Sequence, residues 1–257
     1  MTAKHAVDLN CDLGEGFGAY SIEIDEAVME NISSANVAAG FHAGDPMELE
    51  DTVAYAKEYE TAVGAHPGLP DLLGFGRREM DVSTDEVRNY VTYQVGAVRA
   101  FCDRASVELQ HVKPHGALYN MASNDEAVAT GIIQALTELP DSPTLLALSG
   151  SKFASMAEEA GLDVRHEAFA DRAYNRDGTL VSRSREGAVI HDSDRLARRA
   201  VKMVEDGEVE TIDGETIELR VDSICVHGDT PEASEHVTRL TDAFEKEGIS
   251  VAPLRDL

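Results

Sequence analysis

The chain has 257 residues, enough to bury a substantial core, and we expect one α/β domain spanning residues 1–257. With 48 acidic and 22 basic residues its formal net charge is −26, which argues against nucleic acid and anionic membranes as partners. Its apolar runs fall short of the roughly 20 residues that a membrane span needs, so we expect a soluble protein.

The acidic residues are dispersed along the chain, a pattern typical of adaptation to a high-salt cytoplasm, where screening weakens self-repulsion. We therefore expect a halophilic, acidic protein. The three cysteines lack metal-type spacing and indicate a reducing compartment. The first residues lack a basic segment followed by an apolar one, so we expect no signal peptide and a cytoplasmic location.

Short apolar segments alternate with longer amphipathic ones along the chain. The predicted strands cover residues 5–10, 34–40, 61–66, 108–113, 143–148, 163–169 and 221–226. The predicted helices cover residues 22–32, 46–60, 84–104, 124–138, 151–160, 192–206 and 231–247. This β-then-α order predicts parallel strands joined by crossover helices.

Such a series can close into a barrel or stay open as a doubly wound sheet. Polar residues follow nearly every predicted strand instead of gathering at one reversal point, which favours a distorted, TIM-like (β/α) barrel of about seven strands. One segment departs from the pattern. Residues 207–221 alternate around Asp213-Gly214 and predict a small inserted β-hairpin.

In a parallel barrel the carboxyl ends of all strands meet at one rim, so side chains that follow the strands should share a cavity. These are Asp8, Asn10, Asp12, His42, Asp45, His66, Lys113, His115, Asp171, Arg172, His227 and Asp229. A single histidine there is usually a hydrogen-bonded structural residue. Four of the nine histidines at matching positions favour a functional role for at least two.

Local sequence refines two of these positions. Asp45 before Pro46 is predicted to cap the following helix, which leaves His42 to face the cavity. Lys113 precedes Pro114, which favours an extended backbone and directs the lysine side chain.

The segment "HPGLPDLLGFGRR" (66–78) predicts a rigid loop that begins at His66 and returns Arg77 to the same cavity. The alternative for Arg77 and Arg78 is a salt-bridged surface pair. The earlier segment "LGEGFGAY" (13–20), which contains Glu15, fits neither nucleotide-loop template, and we interpret it as a close turn.

Asp12, His42 and His66 could together bind zinc or another divalent ion, since they combine a carboxylate with two imidazoles. Each follows a different strand, and no local metal-binding signature supports the trio. We expect no metal and keep this trio as the alternative.

Several long blocks of this sequence resemble the LamB/YcsF family. They are "VDLNCDLGEGFGAY", "NVAAGFHAGDP", "GAHPGLPDLLGFGRREM", "HVKPHGALYN", "FADRAY", "GAVI" and "ICVHGDTP", and they run from about residue 7 to the last helix. Two positions depart from the family pattern. Ala39 replaces an expected cysteine, which excludes a thiol nucleophile there, and Leu69 replaces a common aromatic residue.

The resemblance implies a barrel related to glycoside hydrolases and deacetylases. It also implies ATP-dependent opening of 5-oxoproline to L-glutamate, carried out with two further 5-oxoprolinase subunits, B and C. The absence of a nucleotide-binding motif in this chain fits a division of labour in which those partners handle ATP. The resemblance does not decide whether the protein binds a divalent metal or whether it forms a homo-oligomer.

For this reaction we expect Asp12 to act as the base, with His42 and His66 orienting water or moving protons. Lys113 and His115 would stabilise negative charge on the former carbonyl oxygen or on phosphate. The expected substrate contacts are Asn10, Glu15, Arg77, Asp171, Arg172, His227 and Asp229.

Two other functions compete with this one. The first is metal-dependent hydrolysis of a carbohydrate or N-acyl group, and the second is a non-catalytic role in binding oxoproline for the partners. Fold alone does not decide among them.

Overall fold

The computed structural model describes residues 5–20, 26–226 and 233–257. Seven parallel strands form a closed barrel, because each pairs with the next and the last pairs with the first. In chain order they are β1 (His5–Leu13), β2 (Ser34–Ala38), β3 (Ala62–His66), β4 (Leu109–Val112), β5 (Thr144–Leu148), β6 (Val164–Phe169) and β9 (Ser223–Val226). The predicted TIM-like barrel is confirmed.

Helices follow the strands and cover the outside of the barrel. They are α1 (Glu26–Met29), α2 (Pro46–Glu58), α3 (Thr84–Ala105), α4 (Gly116–Ala122), α5 (Glu126–Thr137), α6 (Lys152–Glu159), α7 (Ser193–Asp206) and α8 (Ala233–Glu247). Polar side chains cap the starts of several of them. Ser83 forms a capping box with Glu86 at the start of α3, and Asp125 accepts from two backbone N–H groups of α5.

The hairpin is present as β7 (Glu208–Glu210) and β8 (Thr216–Glu218), which pair antiparallel. Two elements were not predicted from the sequence, namely α4 and β10 (Ile249–Val251). β10 extends the sheet beyond the barrel closure by pairing parallel to the start of β1. Both are too short to show a clear hydrophobic period.

The apolar core lies between the barrel and its helices. Val87, Val91, Val95 and Val98 recur at three- and four-residue spacing on α3 and are fully buried. The three cysteines are buried, and none of them forms a disulfide. Within the described part of the chain, no helix combines the length and apolarity needed to cross a bilayer.

The inside of the barrel is polar instead of aliphatic. Along β1, the side chains of Asp8, Asn10 and Asp12 recur at every second residue, which is the spacing of one strand face. Asp8 and Asn10 are fully buried, and Asp12 is nearly so. These three residues form successive levels of the interior, from the middle of the barrel to its mouth.

Asp8 occupies the lowest of these levels and not the rim cavity where we expected it. β1 continues to Leu13, so Asp8 lies well before the strand ends. Its carboxylate accepts hydrogen bonds from the hydroxyls of Ser33 (2.7 Å), Ser34 (2.6 Å) and Ser223. Burial disfavours its ionised form and raises the pKa of Asp8 to about 6 despite these three donors.

Replacing Asp8 with asparagine should change how stability depends on pH. Asp8 keeps its proton up to about pH 6 in the folded protein, whereas the unfolded chain releases it near pH 4. The stabilisation that the protonated side chain gives the folded state is therefore lost as the pH rises from about 4 to about 6. As the pH rises through this range, we expect the free energy of unfolding of Asp8→Asn to increase by on the order of 3 kcal/mol relative to that of the wild type. Urea unfolding at several pH values measures this.

The matched control is the same substitution at the exposed Asp81. If Asp8→Asn and Asp81→Asn change the free energy of unfolding by the same amount at every pH, the barrel interior does not raise the pKa of Asp8.

Candidate active site at the barrel mouth

A cavity of about 680 Å³ opens at the carboxyl ends of the strands. Its floor includes residues at or next to the ends of five strands, β1, β3, β4, β5 and β6, and loops form its walls. Among the predicted site residues it is lined by Asp12, His66, Arg77, Lys113, His115 and Arg172. The position agrees with the usual active-site face of a parallel barrel.

The floor is organised around the buried ammonium group of Lys113. Its Nζ lies 3.0 Å from Asp12 Oδ1 and 2.8 Å from Glu167 Oε1, and it also donates to Asn10 Oδ1 at 3.1 Å. Burial acts to lower the pKa of Lys113, but its acidic neighbours together raise it well above its ordinary value. Lys113 is therefore a fixed cation that binds two carboxylates.

A second group of hydrogen bonds holds Asp12 from below. Asn36 Nδ2 donates to Asp12 Oδ1 (2.8 Å) and to Asn10 Oδ1 (2.7 Å), and its own Oδ1 lies 2.7 Å from His111 Nε2. Burial lowers the pKa of His111 to about 3, so the ring is neutral and its Nε2–H donates to Asn36. Asp12 is thereby fixed with its side chain 11% exposed.

Glu167, the second carboxylate, is fully buried and lies beneath the cavity. It accepts from Tyr119 Oη at 2.8 Å and from Asn10 Nδ2 at 3.0 Å, in addition to Lys113. Burial is the main cause that raises the pKa of Tyr119 well above its usual range, so the phenol stays a donor. Sequence reasoning missed Glu167 because it lies inside β6 instead of after it.

Three histidines lie beside Asp12. His66 Nδ1 donates to the Lys113 carbonyl at 2.7 Å, and its Nε2 lies 3.4 Å from Asp12 Oδ2 and 3.0 Å from His115 Nδ1. His115 Nε2 donates to the Phe75 carbonyl at 2.8 Å. The ring of His42 stacks on that of His115 with centroids 3.8 Å apart.

Both stacked rings are uncharged at neutral pH. Burial lowers the pKa of His115 to about 3 and that of His42 well below its ordinary value. Neither ring nitrogen of His42 has a hydrogen-bond partner within the described residues. His42 lies behind His115 and does not line the cavity, which differs from the expectation that it would face the opening.

The glycines of the loop after β3 make room for the histidines. A Cβ atom on Gly68 would lie 2.5 Å from His42 Nδ1, and one on Gly76, at φ +63°, would lie 2.7 Å from His115 Cδ2. Gln94 fixes the loop by accepting from Gly68 N and donating to Gly68 O, both at 2.9 Å. The backbone of this rigid loop therefore packs directly against the stacked rings of His42 and His115.

The same loop separates the two adjacent arginines. Arg77 lines the cavity, and its guanidinium lies 4.9 Å from the Phe75 ring centroid. Arg78 is bound to Asp71, which also caps the 3-10 turn of residues 72–74. The structure thus places one arginine in the cavity and the other in a surface ion pair.

Two further arginines complete a cationic wall. Arg172 is buried, donates from Nη2 to the Val181 carbonyl at 2.7 Å, and its buried Nε has no hydrogen-bond partner in the described part of the chain. Arg183 also lines the cavity. Sequence reasoning missed Arg183, because it lies in an irregular segment after β6 without a strand-end position.

Other predicted residues lie elsewhere. Asn10 is one level below the cavity. Its side-chain amide forms hydrogen bonds with Glu167, Ser223, Asn36 and Lys113.

Asp45 caps α2, as predicted, and its carboxylate also accepts a hydrogen bond from Gly18 N at 2.7 Å. Asp171 is buried after β6 and is not among the residues that line the cavity. His227 and Asp229 lie outside the described residues.

A buried group of four side chains could bind a metal ion. It consists of Glu15, His42, His66 and His115, whose nearest donor atoms all lie within 4.8 Å of one another. This set keeps two members of the predicted trio. Glu15 supplies the carboxylate in place of Asp12, because the close turn after β1 brings its side chain to 3.8 Å from both His42 and His115.

The fold and site define a TIM-like barrel protein whose candidate active site lies at its carboxyl mouth. The chain belongs to the LamB/YcsF family, whose sequence profile matches residues 7–257. It is 56% identical to the 5-oxoprolinase A subunit of Thermococcus onnurineus, over 96% of this chain and 97% of that protein. The corresponding protein of Pyrococcus abyssi is 54% identical, over 97% and 98%.

A solved structure supports the fold. The lactam utilization protein of Thermus thermophilus superposes with a TM-score of 0.92 and is 44% identical, over 96% of this chain and 99% of that one.

Replacing Lys113 with methionine should strongly destabilise the protein, because Asp12 and Glu167 would lose the cation between them. We expect a loss of about 3–5 kcal/mol of unfolding free energy at neutral pH, measured by urea denaturation. Lys152→Met is the control, since Lys152 pairs with Glu126 at the surface and should cost less than about 1 kcal/mol. Equal losses in both variants would contradict the interpretation of Lys113.

Proposed function

We propose that the protein is the A subunit of an ATP-dependent 5-oxoprolinase, which opens the lactam ring of 5-oxoproline to give L-glutamate. The observation that carries the proposal is the Asp12–Lys113 pair, fixed on the floor of a cavity with an arginine-rich wall. The relatives named as this 5-oxoprolinase component support it, because they match nearly the whole chain. We also propose a cytoplasmic location.

The chemistry requires activation of an unreactive amide. Transfer of the γ-phosphoryl group of ATP to the lactam oxygen would yield ADP and a phosphorylated imidate, in which the ring carbon is a better electrophile. Water then adds to that carbon, the C–N bond breaks as the nitrogen takes a proton, and an acyl phosphate forms. A second water hydrolyses this acyl phosphate to glutamate and phosphate.

Asp12 is the residue placed to accept a proton from the attacking water. Its Oδ1 is held by Lys113 and Asn36, so the carboxylate cannot turn away from the cavity floor. Lys113 Nζ is occupied by Asp12, Glu167 and Asn10, and we assign it the positioning of Asp12 in addition to a local positive field. His66, 3.4 Å from Asp12, is placed to pass the proton onward.

The arginines suit the anionic groups of the reactants. 5-Oxoproline carries a carboxylate, and the activated species carries a phosphate as well. Arg77 and Arg172, with Arg183 beside them, provide guanidinium donors for these oxygens. The cavity volume lies within the usual range for small-molecule sites and leaves space for both anions.

We propose that subunits B and C bind ATP and dock at the barrel mouth. The sequence has no glycine-rich phosphate loop. Large apolar side chains are exposed in the segments that follow β1, β2 and β3, including the first turn of α2 and the 3-10 turn of residues 72–74, which is typical of an interaction surface. They are Phe17, Tyr20, Met47, Leu72 and Leu73, the last of which is 97% exposed.

Asp12→Asn should lower kcat for oxoproline-dependent glutamate release by about 10²–10⁴-fold, because the amide cannot accept the water proton. The assay follows glutamate and phosphate together in the complex reconstituted with both partner subunits. Asp141→Asn is the control, since Asp141 also pairs with a cation, Arg99, but lies at the surface. Turnover near the wild-type rate in Asp12→Asn would exclude Asp12 as the base.

Arg77→Gln should raise the KM for oxoproline by about 10–100-fold, the effect of losing a charge-assisted hydrogen bond. Its neighbour provides the matched comparison, because Arg78→Gln removes the same charge from a side chain bound to Asp71. Steady-state kinetics of the two variants distinguish them. Equal KM values would show that Arg77 does not contact the substrate.

A further inference from the structure

The hydrogen bonds of His66 and His115 determine where their ring protons lie. Carbonyl oxygens only accept hydrogen bonds, so His66 Nδ1 carries a proton toward the Lys113 carbonyl. By the same argument His115 Nε2 carries a proton toward the Phe75 carbonyl. An imidazole in its neutral form has one N–H, so in that form the other nitrogen of each ring bears a lone pair.

These two lone-pair nitrogens face each other. His66 Nε2 and His115 Nδ1 are 3.0 Å apart, a distance that needs a positive centre between or beside them. Glu15 Oε1 lies 3.8 Å from His115 Nδ1, and Asp12 Oδ2 lies 3.4 Å from His66 Nε2. The groups that converge here are acceptors, so the arrangement calls for a cation.

His42 adds a second and independent observation. Its side chain is fully buried, and neither ring nitrogen meets a hydrogen-bond partner among the described residues. A buried polar group left in this state costs free energy. Its Nε2 lies 3.8 Å from Glu15 Oε1, on the same group of acceptors. A proton shared by His66 and His115 would leave His42 unsatisfied, whereas a metal ion can satisfy all four groups.

We infer that Glu15, His42, His66 and His115 form a binding site for one divalent transition-metal ion. Three imidazole nitrogens and one carboxylate oxygen suit Zn²⁺ or Co²⁺ and disfavour Mg²⁺, which prefers oxygen ligands. The outer N–H groups of His66 and His115 already donate to carbonyls, which is the outer hydrogen bonding that metal-binding histidines show.

The parallel stacking of His42 and His115 requires one ring to rotate before both can bind the same ion. The planes of His42 and His115 differ by 6°, so an ion in the plane of one ring lies outside the plane of the other. One ring must turn for both to bind. His115 is held because its Nε2–H donates to the Phe75 carbonyl, whereas no hydrogen bond is found among the described residues for the ring nitrogens of His42, so His42 is the ring that turns.

The metal site goes beyond the proposed function and does not depend on it. An ion bound there would occupy Nε2 of His66, so His66 would then orient the ion instead of passing a proton from Asp12. The ion would supply a Lewis acid next to Asp12 and the cavity. There it could polarise a carbonyl oxygen or lower the pKa of water.

The test is a Co²⁺ titration of the whole chain after treatment with a chelator, followed by visible absorption and metal analysis. We expect one Co²⁺ per chain, displacement by Zn²⁺, and no competition from Mg²⁺ at equal concentration. His115→Gln and Glu15→Gln should each weaken Co²⁺ binding by more than the roughly 10–100-fold typical of losing an outer-shell partner. Circular dichroism confirms that each variant is folded.

His166→Gln is the matched control, because His166 is also buried and lies 3.2 Å from a glutamate, Glu158, away from the mouth. It should bind Co²⁺ like the wild type. The inference is overturned if the wild-type chain binds no Co²⁺, or if all variants bind it equally. This titration needs neither oxoproline nor partner subunits, so failure of the proposed reaction would not affect its outcome.

Discussion

The burial of one ammonium group constrains the whole barrel. Lys113 Nζ lies between Asp12 and Glu167, whose strands β1 and β6 are separated by β9 around the closed sheet. A lysine buried without these partners would carry a heavy desolvation penalty, and two buried carboxylates without the lysine would repel each other. The charges are therefore compatible only when the barrel is closed and its strands are in register.

This interaction also connects the two halves of the candidate site. The Lys113 side chain fixes Asp12, and the carbonyl of the same residue accepts from His66 and sets its tautomer. His66 in turn faces His115, which the glycine-rich loop after β3 holds in place. A single residue thus orients both the proposed base and the histidine group, so the proposed acid–base residues and the proposed metal ligands form one connected network.

Much of this arrangement could be predicted from the sequence, because strand-end residues of a parallel barrel must converge. The seven strands, the hairpin and the meeting of Asp12, His66, Lys113 and His115 follow from periodicity and topology. The predicted positions of Asp8 and Asn10 are too close to the barrel mouth, since β1 continues three residues beyond its predicted end at residue 10. Glu167 and Arg183 could not be found, because neither a mid-strand polar residue nor an irregular segment signals its position.

We propose that this mouth binds 5-oxoproline with the lactam carbonyl beside Asp12. A crystal structure of the chain soaked with 5-oxoproline tests it most directly. We expect the ring carbonyl carbon to lie within reach of a water held by Asp12, with the carboxylate on Arg77 or Arg172. Oxoproline bound only elsewhere, such as in the arginine-lined cavity between α7 and the hairpin, with the mouth left unoccupied, would contradict it.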